Sequence, residues 1–567
     1  MDSMGDGDAM GGIPAATRFA SNAVVLRAMG GQIQSSHLLR ALCLTSRFLY
    51  FELVAFLYRD LDVPLDKIDP GNPNLVFTRT LFARSLSSQK ESDIRFNGAV
   101  HELLARMPRL ERFVWTEPLL MMPATAMALF KSCPRLKEIH YHVRSDDKEQ
   151  SRSVQWTNST NISASWTKHD FSVFGNLQSL TLTQLCSHLP RWKGHIVQVL
   201  HNSPGLGALE LSISAIAIHW HHSSYREDHY ENFFDSMCDD YEAVGGQPLR
   251  LGSLRLGHAM YPMSHSSLVK LTDLRHLEEV HIDNRSVTGL WNQSLIDLYP
   301  LGSFDSGIVF DAFRPPHCCS LRRFSVSKYE HDVHLFLCHV ARDPSFSKGL
   351  AVCIEDLRSV CWGDPSLLLR PNPRQPGLPI QLRMMGLYLD LESIEMPSLA
   401  VEKSLRVETL LDLVVATNAD SLEGLMVYLP ERTRNGLSGR INAGYEDTNH
   451  FYELDTLEPA IRGLPRLREL SINGRDPKRG HTDNPVTPEL VLDTAHRLAR
   501  AGSRLVYIDI YERVWRVTRG GDGSVELDDL RGRERNSAEL FYYFSWRPYK
   551  ALKLPLDVFH RPYLGSA

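Results

Sequence analysis

A short pattern, Leu-x-x-h-x-h with h apolar, recurs along this chain and constrains its fold more than any other feature. It reads Leu110–Phe113–Trp115, Leu136–Ile139–Tyr141, Leu177–Leu180–Leu182 and Leu206–Leu209–Leu211. It continues at Leu251–Leu254–Leu256, Leu277–Val280–Ile282, Leu321–Phe324–Val326 and Leu357–Val360–Trp362. Leu391–Ile394–Met396, Leu422–Leu425–Val427, Leu467–Leu470–Ile472 and Leu505–Ile508–Ile510 complete the set. That makes twelve matches at a mean interval of about 36 residues, a period of the kind that stacked repeats produce. Several share a lead-in: Met107-Pro108-Arg109, Cys133-Pro134-Arg135, Ser203-Pro204-Gly205 and Leu464-Pro465-Arg466. Proline two residues before the leucine ends a helix and starts an extended segment. The period-two alternation after it predicts a short strand with one buried face.

Helical patterns precede many of these strands. Val100, Leu103, Leu104 and Met107 keep i, i+3, i+4, i+7 spacing, one apolar stripe of a helix. Thr487 and Pro488 open another, with Val491, Ala495 and Leu498 on one face and Gly502 as its stop; Glu408–Ala419 is similar. The unit is therefore helix, tight turn, short strand, and stacked neighbours must share one core because no unit buries its apolar face alone. Polar or proline-rich insertions are expected at 144–168, 363–379 and 432–449. A hairpin is predicted where Val514–Val517 and Val525–Leu527 flank Gly520–Gly523. The aromatic tail 541–546 would cover the end of the stack.

These units resemble leucine-rich repeats of the long, irregular type, with helices on the convex side; the asparagine that often follows the strand stands at Asn473 and Asn284. The resemblance implies an α/β solenoid, an irregular leucine-rich-repeat horseshoe with parallel strands on the concave face. Before the repeats, Leu39-Arg40-Ala41-Leu42-Cys43-Leu44-Thr45-Ser46-Arg47 and Leu57-Tyr58-Arg59 look like the second half of an F-box, as in fungal F-box/leucine-rich-repeat proteins. The family's opening apolar–Pro–x–Glu is missing, with Ile13-Pro14-Ala15-Ala16 the nearest approximation. The chain then divides into a poorly defined N-terminus at 1–34 and a small helical F-box-like segment at 35–70. A connector follows at 71–99, then about twelve repeat units at 100–511, and a hairpin with an aromatic cap at 512–567. The resemblance implies a non-enzymatic substrate receptor of a Skp–cullin–F-box ubiquitin ligase. Leu39, Leu42, Leu44 and Leu57 would meet the Skp-type adaptor, and the repeats would hold the substrate. A repeat scaffold without ligase function is the alternative.

Composition narrows the function classes. Lys+Arg 62 against Asp+Glu 67 leaves a net charge of −5, which argues against bulk-charge binding to nucleic acid or an anionic membrane. There is neither an eighteen-residue apolar run nor a signal-like N-terminus. Nine cysteines without regular spacing suit reduced thiols in a cytoplasmic or nuclear protein. No catalytic motif, metal site or cofactor site is expected. His101-Glu102 lacks a second histidine, His219, His221, His222 and His229 are loosely spaced, and Cys318-Cys319 with His331 and His334 lack zinc-ligand spacing.

Binding is expected instead at strand positions that alternate with the apolar ones and point to the concave face. Glu138, His140, Glu210, Arg255, Glu279, His281, Asp283, Arg323, Glu395, Glu469 and Asp509 stand there. Their acidic bias predicts a partner with a basic segment.

Overall fold

The computed structural model describes residues 23–32, 36–61, 65–83, 93–115, 121–143, 171–185, 189–213, 233–257, 260, 262, 264–282, 310, 312–314, 317–328, 331–340, 350–356, 380–388, 415, 418–428, 452–473, 488–510 and 513–529. In ten of the twelve pattern matches a strand begins two residues after the leading leucine. The matches at Leu357–Trp362 and Leu391–Met396 lie outside the described residues, as do the expected insertions, the aromatic tail, and His219, His221, His222 and His229.

The proline lead-ins act as turns. The amide of Leu110 donates to the Met107 carbonyl at 3.0 Å, Leu136 to Cys133 at 3.0 Å, Leu206 to Ser203 at 3.0 Å and Leu467 to Leu464 at 3.1 Å. Proline thus occupies the second position of a four-residue turn, where its fixed φ is already correct. Strand entry has its own recurring device: the amides of the first strand residue and of the residue before it share the carbonyl just ahead of the preceding strand. Gly252 and Ser253 both donate to Gly207, Glu278 and Glu279 to Gly252, and Arg322 and Arg323 to Glu278. Repeated backbone bonding of this kind explains why the pattern survives in sequence although the spacing between units varies.

The chain falls into two units, Met1–Ile139 with Ser163–His169, and His140–Ile162 with Asp170–Ala567. In the first, among the described residues, three helices, α1 (Ala23–Gln32), α2 (Ser36–Thr45) and α3 (Arg47–Leu57), precede β1 (Asp60–Leu61), β2 (Thr80–Ala83), α4 (Asp93–Leu104), β3 (Arg112–Trp115), α5 (Pro123–Ser132) and the start of β4 (Glu138–His142). The strands run parallel in chain order, with Leu61 opposite Leu81 and Leu81 opposite Phe113. Residues 71–99, read from sequence as a connector, hold β2 and the start of α4. The helix stripe Val100, Leu103, Leu104 and Met107 is buried throughout.

Among the described residues, the second unit holds an α/β sheet of ten strands, all parallel and paired in chain order. They are β5 (Ser179–Leu185), β6 (Ala208–Ile213), β7 (Ser253–Leu256), β8 (Glu279–Ile282) and β9 (Arg323–Lys328), then β10 (Leu350–Asp356), β11 (Ile380–Tyr388), β12 (Gly424–Tyr428), β13 (Glu469–Asn473) and β14 (Tyr507–Ile510). An antiparallel hairpin, β15 (Arg513–Arg519) and β16 (Val525–Asp529), pairs with β14. Its turn uses Gly523 at φ 82°, the left-handed region that suits glycine. Between strands lie α6 (Leu189–His201), α7 (Phe233–Ala243), α8 (His265–Leu271), α9 (His331–Val340), α10 (Tyr452–Arg462) and α11 (Pro488–Ala501).

Register fixes the core. Leu180, Leu209, Leu254, Val280, Phe324 and Val352 form one buried row across six strands. Leu182, Leu211, Leu256, Ile282, Val326 and Ile354 form the next. Each such side chain contributes about 1.5–3 kcal/mol on leaving water. Lysines join neighbouring helices on the outside: Lys193 Nζ reaches Asp240 at 2.8 Å, and Lys270 Nζ reaches Asp239 at 2.7 Å and Glu242 at 2.9 Å. Two cysteines serve the turns. The Cys133 thiol donates to the Met107 carbonyl and the Cys318 thiol to the Leu277 carbonyl, both at 3.7 Å. Burial pushes both thiols up to about 12, so they stay protonated at neutral pH. Cys319, beside Cys318, is exposed.

Candidate functional site

Side chains between the core rows emerge on the opposite face of the sheet, because successive residues of a strand point to opposite sides. Two polar rows result. The first runs Ser179, Ala208, Ser253, Glu279, Arg323, and the second Thr181, Glu210, Arg255, His281, Ser325, each residue opposite the next. The second row is buried although polar. Strands about 4.8 Å apart hold these side chains shoulder to shoulder, so each screens its neighbours.

Buried polar groups require partners, and the rows supply them laterally. Glu279 stands between two guanidinium groups. Its Oε1 accepts from Arg255, whose side chain is only 6% exposed, and its Oε2 lies 3.7 Å from Arg323. His281 Nδ1 meets Ser325 Oγ at 2.9 Å. Further along, Ser471 Oγ donates to Asp509 Oδ2 at 3.1 Å, and Arg383 pairs with Glu423.

The first row changes size abruptly. Across β5, β6 and β7 it is Ser179, Ala208 and Ser253, preceded by Gly207 and Gly252; across β8 and β9 it is Glu279 and Arg323. Short side chains beside long ones leave a depression of about 410 Å³, lined also by His140, Thr181 and Glu210.

The expected face residues are distributed as follows. His140, Glu210, Arg255, Glu279 and Arg323 line this one depression, and buried His281 is the strand neighbour of Arg255. Glu469 and Asp509 sit further along the same unit, on β13 and β14. Glu138 belongs to the first unit, where it pairs with Arg112 at 3.3 Å. Asp283 and Glu395 lie outside the described residues. At this depression Glu279 is engaged by two arginines, and the Arg322 amide donates to the Glu278 carbonyl at 2.8 Å. Selecting charged positions missed Ser179, Ala208 and Ser253. The signal for them was a run of small residues at the same pattern position in three consecutive units.

The helical segment holds a second candidate surface. Leu26, Cys43 and Leu53 form a core against which Leu42, Leu49, Phe56 and Leu57 pack. The Ser46 hydroxyl caps α3 by accepting from the Leu49 amide at 3.1 Å, and Arg27 pairs with Glu52 at 2.7 Å. Of the four leucines expected to meet an adaptor, Leu39 is buried, Leu42 and Leu57 pack on the helical core, and only Leu44 is strongly exposed, at 79%. The large apolar groups of these helices turned to solvent include Leu38, Leu44, Phe48 and Phe51, with Met29 and Tyr50 beside them in exposure. The segment is apolar on more than one face, and its periodicity does not say which face turns inward.

Among the described residues, no group of three or more His, Cys, Asp or Glu side chains is placed to hold a metal ion, and no helix is long and apolar enough to cross a membrane. No family model matches the chain, and no curated protein matches it.

Proposed function

We propose that the chain is a protein-binding receptor that brings a partner to a Skp–cullin–F-box type ubiquitin ligase. On this reading the parallel strands line the concave face of an irregular leucine-rich-repeat solenoid, and the polar rows form the partner surface. The three N-terminal helices act as the F-box. Catalysis would be by proximity: partner lysines are held near a ubiquitin-charged enzyme recruited by other subunits, so this chain supplies no reacting group.

The observation that carries the reading is the three-helix unit at Ala23–Leu57. It has its own core and turns Leu38, Leu44, Phe48 and Phe51 to water. Such a patch on so small a unit supports an obligate partner. Co-expression with a Skp-type adaptor tests it. The native chain should co-purify with the adaptor, and Leu44→Asp with Phe51→Asp should abolish the association. Absence of association by the native chain overturns the ligase reading and leaves a repeat scaffold. Leu39 is buried and Leu42 and Leu57 are partly buried against the helical core, so Leu44 and Phe51 are the residues to vary.

A further inference from the structure

We propose that the depression over Ser179, Ala208 and Ser253 is an anchor pocket for one large, uncharged planar side chain, tyrosine or tryptophan, presented by an extended segment of a protein partner. The inference rests on the protein-binding part of the reading above and adds the chemistry of what is bound.

Three observations carry it. First, the volume, about 410 Å³, falls in the range of built ligand pockets and holds an aromatic ring with room for the chain that bears it. Its floor is made by the short side chains of three adjacent strands, which a flat ring can cover.

Second, the largely buried carboxylate in its wall, Glu279, is already engaged by Arg255 and lies 3.7 Å from Arg323. A cation aimed at Glu279 competes with Arg255, a guanidinium with almost no access to water, and an anion aimed at Arg255 competes with Glu279. Either exchange breaks a buried ion pair, so the wall selects against charged side chains. This replaces the basic segment that the strand composition first suggested.

Third, hydroxyl groups of Ser179, Thr181 and Ser253 border the depression. A hydroxyl can donate or accept, and so suits the phenol O–H or the indole N–H, the one polar atom of each ring. The exposed rim pair Glu278 and Arg322 would meet the backbone of the segment beside the anchor.

The test is selection from a random twelve-residue phage-display library on the full-length chain, with the Ala208→Trp variant as counter-target. Filling the floor with an indole should remove the site. Enriched sequences are expected to share one tyrosine or tryptophan. A synthetic peptide of that sequence should lose affinity by about 30-fold when the aromatic becomes alanine, the loss typical of an interface anchor. A comparable loss is expected on Ala208→Trp.

Should Ala208→Trp disturb the strand, Ser253→Tyr provides an independent filling. Hydrogen exchange on the native chain then reports whether the peptide protects residues 178–182 and 207–211. Enrichment without a common aromatic, a common charged residue in its place, no enrichment, equal binding to the filled variants, or protection elsewhere would each overturn the pocket. Adaptor co-purification is unaffected by these outcomes, so failure of the pocket and failure of the ligase reading are separable.

Discussion

Glu279 decides what its surroundings can accept, because one carboxylate serves two arginines on neighbouring strands. An exposed ion pair contributes little, but removing one partner of a largely buried pair is costly, since the remaining charge stays in a poorly solvated place. The Glu279 side chain keeps 15% of its exposure and that of Arg255 6%, so the pair belongs nearer the buried limit. Glu279→Ala should therefore destabilise the second unit by about 3 kcal/mol, read from urea unfolding followed by circular dichroism. A change below about 1 kcal/mol would place the pair with solvent-exposed bridges instead. Charge reversal at Glu279 is consequently a poor probe of partner capture. A lysine there would face Arg255 and Arg323, and lost binding could not be separated from a disturbed sheet.

At the scale of elements, the turns were the most legible feature and the rotation of the N-terminal helices the least. Proline-led turns depend on a local constraint on φ that is written in three or four residues. Which face of α2 and α3 turns inward depends on α1, whose residues Ala23–Gln32 carry no strong pattern by themselves. Gly30 shows how α1 makes that choice. A Cβ placed there would stand 2.7 Å from Phe56 Cδ2 and 2.9 Å from Leu53 Cδ2. Closer than normal contact, such an atom forces a shift, and Leu53 is fully buried. Alanine gains about 1 kcal/mol of helix propensity over glycine, while valine gains less and adds two methyl groups to the collision. Gly30→Val should loosen α1 from α3, with a net cost of about 1–3 kcal/mol. Hydrogen exchange across 36–57 should then quicken, and unchanged protection would show that α1 does not pack as described.

At the scale of the whole molecule, strand order was legible and strand number was not. Ten of the described strands follow a leading leucine of the pattern, whereas others, β2 and β10 among them, do not. In β2, by register, Thr78 takes that place. The pattern records which unit ends its turn with a leucine, while pairing requires only apolar side chains in the two core rows, which Leu81, Ala83, Val352 and Ile354 supply. The pocket floor was hidden for a related reason. Small residues carry no chemistry of their own, and they acquire meaning only when register sets them beside Glu279 and Arg323.

That dependence on neighbours also governs stability. Among β5 to β14, each strand pairs only with those adjacent in sequence, so the cost of a core defect should be concentrated near its own unit. Leu254 lies fully buried in the middle of a core row, between Leu209 and Val280. Leu254→Ala should cost about 2–5 kcal/mol. Exchange should accelerate most at 208–213, 253–256 and 279–282, less at 507–510, and not at 36–57, which has a separate core. Equal acceleration from β5 to β14 would mean that the sheet opens as one cooperative body rather than unit by unit.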